Sequence, residues 1–329
     1  MDKIHTLPDP PSSWSQLTFP QLRYIFTLDR TRMTDIEYKM HVLLHLMNWK
    51  LIRRSDIHIS DTTTPPATIS DLRRLRRQIQ AAADRRSDIH IIVRDQPTGR
   101  LYTFTHRHLA HWSRRYMAFL DTPQGFTAIP QEHITHRRRR YLLPQPLLAN
   151  LTYQQYTSCQ SALDTLADTL RQPTPDPEEL RRAKSQFLAH ILTPRRITLL
   201  QKKDGHFTLN PRLLPTYDPD TAWNSTPRFD TAPDWLFRLL HTHFQGCLLH
   251  LRTLFPHLFT PPATTTDTPA PADTLLAELD TVNAVMKYQS YPDQQTVYDS
   301  NALFVLSILN TMTREAKEIK KITQKTKNK

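Results

Sequence analysis

Glycine is scarce in this sequence, and its spacing excludes several common active-site motifs. The 329 residues contain four glycines, which are Gly99, Gly125, Gly205 and Gly246. Nucleotide-binding GxGxxG loops, P-loops and G-x-S-x-G elbows each need glycine beside a phosphate or a sharply turned nucleophile, with the motif's glycines close together. The glycines of this chain are too far apart for any of these motifs. We therefore predict no bound cofactor and a protein that is not an enzyme.

Cysteine and long apolar runs are also lacking. Cys159 and Cys247 are the only cysteines, and neither has the nearby partner typical of zinc sites or disulfide frameworks. The longest apolar stretch, residues 302–309, includes Ser307 and is much shorter than the ~20 residues that cross a bilayer. Residues 1–13 contain three prolines where a secretion signal would be apolar. The sequence therefore predicts a cytoplasmic protein with no membrane partner.

Histidine and aspartate clusters give no convincing metal or catalytic site. The pair His41 and His45 has helical spacing, but the zinc-protease pattern needs glutamate where Val42 stands. No cysteine or carboxylate completes the other histidine clusters, which are His106, His108 and His111, and His241 and His243. Asp218 and Asp220 lie in a proline-rich stretch that is more typical of a turn. We predict neither a metal site nor a catalytic residue.

Positive charge is in excess and unevenly distributed. The formal net charge is +12; residues 1–150 hold 23 Lys and Arg against 13 Asp and Glu, and the remainder holds 20 against 18. Such asymmetry is typical of contact with nucleic acid or with an acidic protein. Arginine far outnumbers lysine, so a compositional bias explains the charge equally well.

Eight arginines are candidate polyanion-binding residues. They form two tracts, namely Arg73, Arg74, Arg76 and Arg77, and then Arg137, Arg138, Arg139 and Arg140. Arginine binds phosphate through two parallel hydrogen bonds, and Trp112, Tyr116 and Tyr141 are candidates for stacking on bases. A solvated helix face and a loop that docks on an acidic protein explain the same tracts. No helix-turn-helix, RNP-like or zinc-finger pattern accompanies them.

Helices dominate the predicted secondary structure. Apolar residues three or four positions apart predict helices over residues 34–51, 71–85, 151–171, 178–192, 234–255, 273–288 and 296–325. Thr18, Thr34 and Thr152 stand where helices should begin, and threonine caps the free N–H groups there. Loops or linkers rich in proline, threonine or aspartate are predicted at residues 60–70, 172–177 and 260–273.

Two short β-hairpins interrupt the helices. Residues 88–93 and 101–105 flank a turn with Gly99, and residues 198–201 and 206–209 flank a turn with Gly205. The predicted fold is therefore mainly α with two short β-hairpins (α+β), in two helical units joined by Pro/Thr-rich linkers. Residues 1–145 form an Arg-rich unit with one hairpin. Residues 146–329 form a unit with the small hairpin, the 260–273 loop and a C-terminal amphipathic helix with a basic tail.

The C-terminal helix carries the most regular apolar stripe, and we predict that it binds a partner. Its residues recur at helical spacing and are Val305, Leu309, Met312, Ala316 and Ile319. A lysine-rich tail follows. Such a stripe either packs on its own domain or receives a partner helix.

Part of the sequence resembles a group of phage proteins. The matching segments are residues 282–291 (VNAVMKYQSY), 297–298, 313–319 (TREAKEI) and 186–190 (QFLAH) with Pro194 and Arg195. They resemble poorly characterised proteins encoded by phages and prophages of Bacteroidota. The resemblance implies a place among virion-assembly genes near the tail module, where helical chaperones coat the tape-measure protein. It therefore implies a long helical or virion protein as partner.

These patterns lead to two functional hypotheses. The first is a non-enzymatic protein-interaction or assembly factor, such as a chaperone or structural accessory protein of a phage-like element. The alternative is a nucleic-acid-binding protein that acts through its Arg-rich N-terminal half.

Overall fold

The structure is a computed structural model that describes residues 9–52, 90–194, 201–203, 206–208, 217–259 and 271–327. As predicted, the fold is mainly helical with short β elements. The chain divides into two compact units, Met1–Gly125 and Phe126–Lys329. The boundary placed between residues 145 and 146 from the sequence lies inside the second of these units.

The first unit combines helices with a small antiparallel sheet. Its helices are α1 (Phe19–Thr27), α2 (Asp35–Leu46) and α3 (His106–Tyr116). Strands β1 (Trp49–Ile52), β2 (His90–Asp95) and β3 (Leu101–Thr105) form a sheet in the order β1-β2-β3. Val93 lies opposite both Leu51 and Tyr102 in the register, so these three side chains share one face. That face is buried at Trp49, Ile91 and Val93.

The second unit is built on longer helices. These are α4 (Tyr153–Arg171), α5 (Pro177–Ile191), α6 (Pro219–Ser225), α7 (Asp234–Leu254), α8 (Pro271–Gln289), α9 (Gln294–Asp299) and α10 (Ala302–Lys327). Strands β4 (His133–His136), β5 (Arg139–Leu142) and β6 (Thr193–Pro194) form one antiparallel sheet, and β7 (Gln201–Lys203) pairs with β8 (His206–Thr208). Short 3-10 turns include Thr226–Arg228.

Local capping explains where several helices begin. The Glu37 backbone N–H donates to the Thr34 hydroxyl at 3.3 Å, and the Gln155 N–H donates to the Thr152 hydroxyl at 3.1 Å. Each bond satisfies a backbone donor that the first helical turn leaves free. The predicted threonine caps of α2 and α4 are confirmed.

Two helix boundaries predicted from periodicity are wrong. The helix expected over 34–51 ends at Leu46, because Asn48 has φ of 53° and turns the chain into β1, where Leu51 lies. The helix expected over 296–325 is two helices, α9 and α10, divided at Ser300 and Asn301. Here the Ala302 N–H donates to the Leu151 carbonyl at 3.0 Å, so the starts of α10 and α4 are joined.

Both predicted hairpins are present, and a third was missed. Strands β2 and β3 match the first predicted hairpin, and β7 and β8 match the described part of the second. The β4–β5 hairpin and helix α3 were not predicted. No helix within the described ranges is both long and apolar enough to span a bilayer.

The core of the second unit is centred on aromatic rings from three helices. Phe187 of α5 lies with its ring centroid 5.7 Å from Phe237 and 5.8 Å from Phe244, both on α7. Tyr156 of α4 lies 6.0 Å from Phe244. The Phe187 and Phe244 side chains are fully buried. Edge-to-face contacts of this kind stabilise beyond the area they bury, so α4, α5 and α7 are held together at this point.

We expect Phe187→Ala to destabilise the second unit by about 3–5 kcal/mol, because it removes a fully buried ring and leaves a cavity. The free energy of unfolding by urea measures this loss. Phe304→Ala is the matched control, since Phe304 is 47% exposed on α10 and should cost about 1 kcal/mol or less. Equal losses for the two variants would contradict the assignment of the core.

Candidate functional site

Only one of the two arginine tracts lies within the described residues. Arg73, Arg74, Arg76 and Arg77, with the helix predicted over 71–85, lie outside the described residues. Arg137, Arg138, Arg139 and Arg140 lie in the second unit, on the hairpin formed by β4 and β5. We name residues 133–142 the arginine hairpin. Within the described residues, the polyanion hypothesis therefore rests on this hairpin, which belongs to the second unit.

The turn of the arginine hairpin has an unusual backbone. His136 pairs with Arg139 across the ladder, so Arg137 and Arg138 form a two-residue turn. Their φ angles are 44° and 64°. Two-residue hairpin turns with both φ positive are normally formed by Asn-Gly, because side chains with a Cβ are strained there by about 1 kcal/mol or more each. The chain thus holds two arginines at the tip at a conformational cost.

The base of the arginine hairpin is anchored and its tip is exposed. The His136 ring lies with Nε2 3.0 Å from the Arg228 carbonyl oxygen, and it stacks on Phe229 with a centroid distance of 5.5 Å. Tyr141 is buried against the same Phe229 ring at 5.3 Å. All four arginines are exposed. Among the described residues none of the four forms an ion pair, and Arg140 instead contacts the ring nitrogen of His133.

A cleft lies beside the turn that anchors the arginine hairpin. It has a volume of about 240 Å³, and its lining residues are Glu178, Arg181, Arg182, Gln186, Trp223, Thr226, Pro227 and Asp230. We name it the Trp223 cleft, because this indole is 60% exposed. Arg181 pairs with Glu178 at 3.2 Å. The buried Thr226 hydroxyl has no hydrogen-bond partner in the described part of the chain, so a bound group could supply one.

The aromatic residues proposed for base stacking have other roles. Trp112 stacks on Trp49 at 5.6 Å and on Phe104 at 6.1 Å in the first unit. Tyr141 is 3% exposed. Tyr141 therefore offers no free ring face, and Trp112 is half-buried among these aromatic contacts. The exposed Trp223 was missed, and the signal for it was present: Asp218 and Pro219 open a short helix whose only large apolar side chain is Trp223.

The apolar stripe of α10 divides into a buried part and an exposed part. Val305 is fully buried, Leu309 and Met312 are half-buried, and Ala316 and Ile319 are exposed. The stripe therefore begins as core and ends as surface.

The transition in α10 follows two polar contacts. The Asn310 side-chain oxygen accepts from the His257 N–H at 3.0 Å, and the Lys317 ammonium donates to the His257 carbonyl at 3.1 Å. Beyond Lys317, residues 318–324 are all exposed. Ile319 and Ile322 are each 64% exposed, which is unusual for branched apolar side chains. We name residues 318–327 the α10 end.

The histidine pairs show no shared ligand site. His45 stacks on Tyr24 with a centroid distance of 3.5 Å. His243 lies 3.6 Å from the Cys247 sulfur on the same helix. In the ranges that the structure covers, no three His, Cys, Asp or Glu side chains are grouped as a metal site.

Burial keeps the His243–Cys247 pair uncharged. It lowers the pKa of His243 to about 4 and raises the pKa of Cys247 to about 12. A cysteine needs its thiolate form to act as a nucleophile. At neutral pH this pair is a neutral imidazole beside a neutral thiol. Both side chains therefore act here as packing groups in the core. The Cys159 thiol is fully buried, and burial raises its pKa as well.

A buried polar network connects α4 and α5. The His190 Nδ1 lies 2.6 Å from the Tyr217 hydroxyl, and the Gln155 amide donates to the His190 carbonyl at 2.7 Å. Burial lowers the pKa of His190 to about 4, so its ring is neutral. The network satisfies polar groups that would otherwise be costly inside the unit.

Asp218 was expected to form a turn, and it instead caps the first turn of a helix. Its carboxylate accepts from the Asp220 N–H at 3.1 Å and so caps helix α6. The predicted turn is the start of a short helix.

Comparisons with known proteins do not indicate a function, so the function has to be inferred from the surfaces described above. No protein-family model matches the chain, and neither the curated proteins nor the solved structures contain a match. The resemblance to phage-encoded proteins stays a prediction.

The second unit should lose stability as the pH falls from about 6.5 to 4. His190 and His243 have pKa values of about 4 when folded and 6.5 when unfolded, so the unfolded chain binds more protons in this range. Their contribution to stability is complete above pH 6.5 and is lost as the pH approaches 4. Each tenfold difference in proton affinity between the two states corresponds to about 1.4 kcal/mol. Urea unfolding at a series of pH values measures the slope.

His243→Met should reduce this pH slope, because it removes one of the histidines whose pKa burial lowers. His250→Gln is the control for replacing a histidine on the same helix, since the His250 side chain is exposed. An unchanged slope in His243→Met would show that the folded and unfolded states bind a proton at His243 equally well, which would contradict the lowered pKa.

Proposed function

We propose that this protein is a non-enzymatic interaction factor that binds a partner protein through the α10 end. The observation that carries the proposal is the exposure of Ile319 and Ile322 on a helix whose earlier turns are core. Val305 and Leu306 fix the direction of the helix, so the exposed turns are presented in a defined orientation.

The physical gain from covering this surface is substantial. A short helix without tertiary support is marginal in water. Burial of an isoleucine side chain contributes about 1.5–3 kcal/mol. A partner that covers Ile319 and Ile322 would therefore stabilise both the contact and the helix that makes it.

Charge indicates the kind of partner. Lys320 and Lys321 stand between the two isoleucines in sequence, project from the other side of the helix and are exposed. The sequence continues with Lys325, Lys327 and Lys329, and Glu318 is the only carboxylate from residue 317 onward. A partner helix with an apolar stripe and glutamates beside it matches both features. A parallel second copy would bring lysines together, which disfavours self-association at this surface.

An assembly role follows from this kind of partner. A chaperone or accessory protein of a phage-like element would hold a long helical virion protein by repeated contacts of this type. The phage resemblance described above supports this assignment. An assembly role is more specific than protein interaction in general, because it names the class of partner to test.

The test uses two synthetic helical peptides about three heptads long, with leucine and isoleucine at the apolar positions. One carries glutamate beside the stripe and its twin carries lysine. We expect the full chain to bind the acidic peptide and not its twin, measured by fluorescence anisotropy. Ile319→Asp and Ile322→Asp should each weaken binding more than about tenfold, since each removes one buried side chain and adds repulsion.

Gln324→Asp is the matched control, because it adds the same charge about 200° around the helix from Ile322. Leu309 and Met312 are unsuitable positions, since they are half-buried and their replacement would disturb the unit. Equal binding of both peptides, or no binding, would contradict the proposal. Dimerisation or capture by anionic vesicles that is lost in Ile322→Asp would assign the α10 end to a different occupant.

A further inference from the structure

We infer that the second unit carries a binding surface for single-stranded nucleic acid, formed by the arginine hairpin and the Trp223 cleft. This surface is separate in sequence and in chemistry from the α10 end. It keeps the second of the two predicted arginine tracts, Arg137 to Arg140, adds the Trp223 cleft, and requires none of the arginines between residues 71 and 85.

The tip of the arginine hairpin favours phosphate. Arg137 and Arg138 occupy a turn that Asn-Gly would fill with less strain. Strain that the sequence retains points to a use for the side chains. Arginine offers a planar fork of donors that matches phosphate oxygens, and Arg139 and Arg140 point to opposite faces of β5, so charge surrounds the tip.

The hairpin and the cleft form a continuous surface. The Thr226–Arg228 turn joins them, since Thr226 and Pro227 line the cleft and the Arg228 carbonyl lies 3.0 Å from His136 Nε2. The Arg228 side chain is exposed on this turn. A chain of phosphates that contacts the hairpin tip is thereby led past Arg228 toward Trp223.

Trp223 distinguishes a nucleic acid from an acidic protein. Its indole is 60% exposed and lines the cleft with Arg182, which is also exposed. Aromatic platforms of this kind stack on bases whatever the sequence, and neighbouring arginines hold the backbone. The base faces of a duplex are covered by their neighbours, so the platform favours a single strand. An acidic peptide has no group that requires a free indole face.

The balance of charge at the surface is positive. The arginines are Arg137, Arg138, Arg139, Arg140, Arg181, Arg182 and Arg228, and the carboxylates are Glu132, Glu178, Asp220 and Asp230. Glu178 is paired with Arg181. The remaining arginines make no ion pair among the described residues, so apart from the Arg140 contact with His133 their donors are available to phosphate.

The first test is binding of a fluorescein-labelled oligothymidylate of about 20 nucleotides, enough to cover one such surface. Arg137→Asn with Arg138→Gly removes both tip charges and supplies the residues that the turn prefers. We expect affinity to fall at least about tenfold. The slope of log affinity against log salt should become about 1.4 smaller, as two phosphate contacts are lost. The fold should be retained, because the turn is relieved of strain.

The second variant is Trp223→Ala, which should fold because the side chain is largely exposed. It should weaken binding about tenfold with an unchanged salt slope, since it removes stacking and no charge. Lys320→Gln with Lys321→Gln is the control: it removes two charges from the α10 end and should leave oligothymidylate affinity unchanged.

Three outcomes would overturn the inference. The first is no binding of oligothymidylate at low salt. The second is equal weakening by the Lys320 and Lys321 control, which would mean diffuse attraction by net charge. The third is equal binding of duplex DNA or heparin together with no effect of Trp223→Ala, which would reduce the surface to a general polyanion site.

Discussion

The packing of Phe187 against α7 is the contact on which the second unit and its surfaces depend. This ring fixes α5 on α7, and Tyr156 of α4 contacts the same Phe244 ring. The outer side of α5 then supplies Arg181, Arg182 and Gln186 to the Trp223 cleft. The chain leaves α5 through β6, and Thr193 and Pro194 pair with Leu142 and Tyr141. One helix therefore sets the position of both the cleft and the strand on which the arginine hairpin is built.

Helix α10 shows how one regular pattern serves two purposes. Its first turns complete the core through Val305 and Leu306. Its last turns repeat the same apolar spacing in solvent, with lysines on the other side of the helix. The buried part gives the exposed part a fixed direction, and the lysines select the charge of what covers it. The first segment of this helix thus stabilises the unit, and the segment that follows is available for recognition.

The elements that sequence predicted well are those decided by local interactions. The helix caps at Thr34 and Thr152 could be predicted from the sequence, because each capping hydrogen bond joins residues only three positions apart. The hairpin with Gly99 is readable because glycine marks its turn. The β4–β5 hairpin was missed for the opposite reason: Arg137 and Arg138 stand where Asn-Gly would have signalled a turn.

The candidate surfaces depend on contacts that a sequence pattern does not contain. Periodicity marked the α10 stripe from Val305 to Ile319, but it carries no information on which turns are covered. The Trp223 cleft exists because α6 lies against α5, and their residues are far apart in sequence. Asn48 ended a helix that the apolar spacing would have continued, because its left-handed backbone overrides the pattern.

The hydrogen bond between Ala302 and Leu151 has a consequence for synthesis of the chain. It joins the starts of α10 and α4, which lie about half the chain apart, and Val305 then fills the core beside it. Contacts of such long sequence separation form slowly, since a large loop must close first. During translation, α4, α5 and α7 emerge from the ribosome well before α10. Until α10 is made, part of their apolar surface stays exposed to solvent. The second unit therefore finishes folding only after the first turns of α10 have left the ribosome.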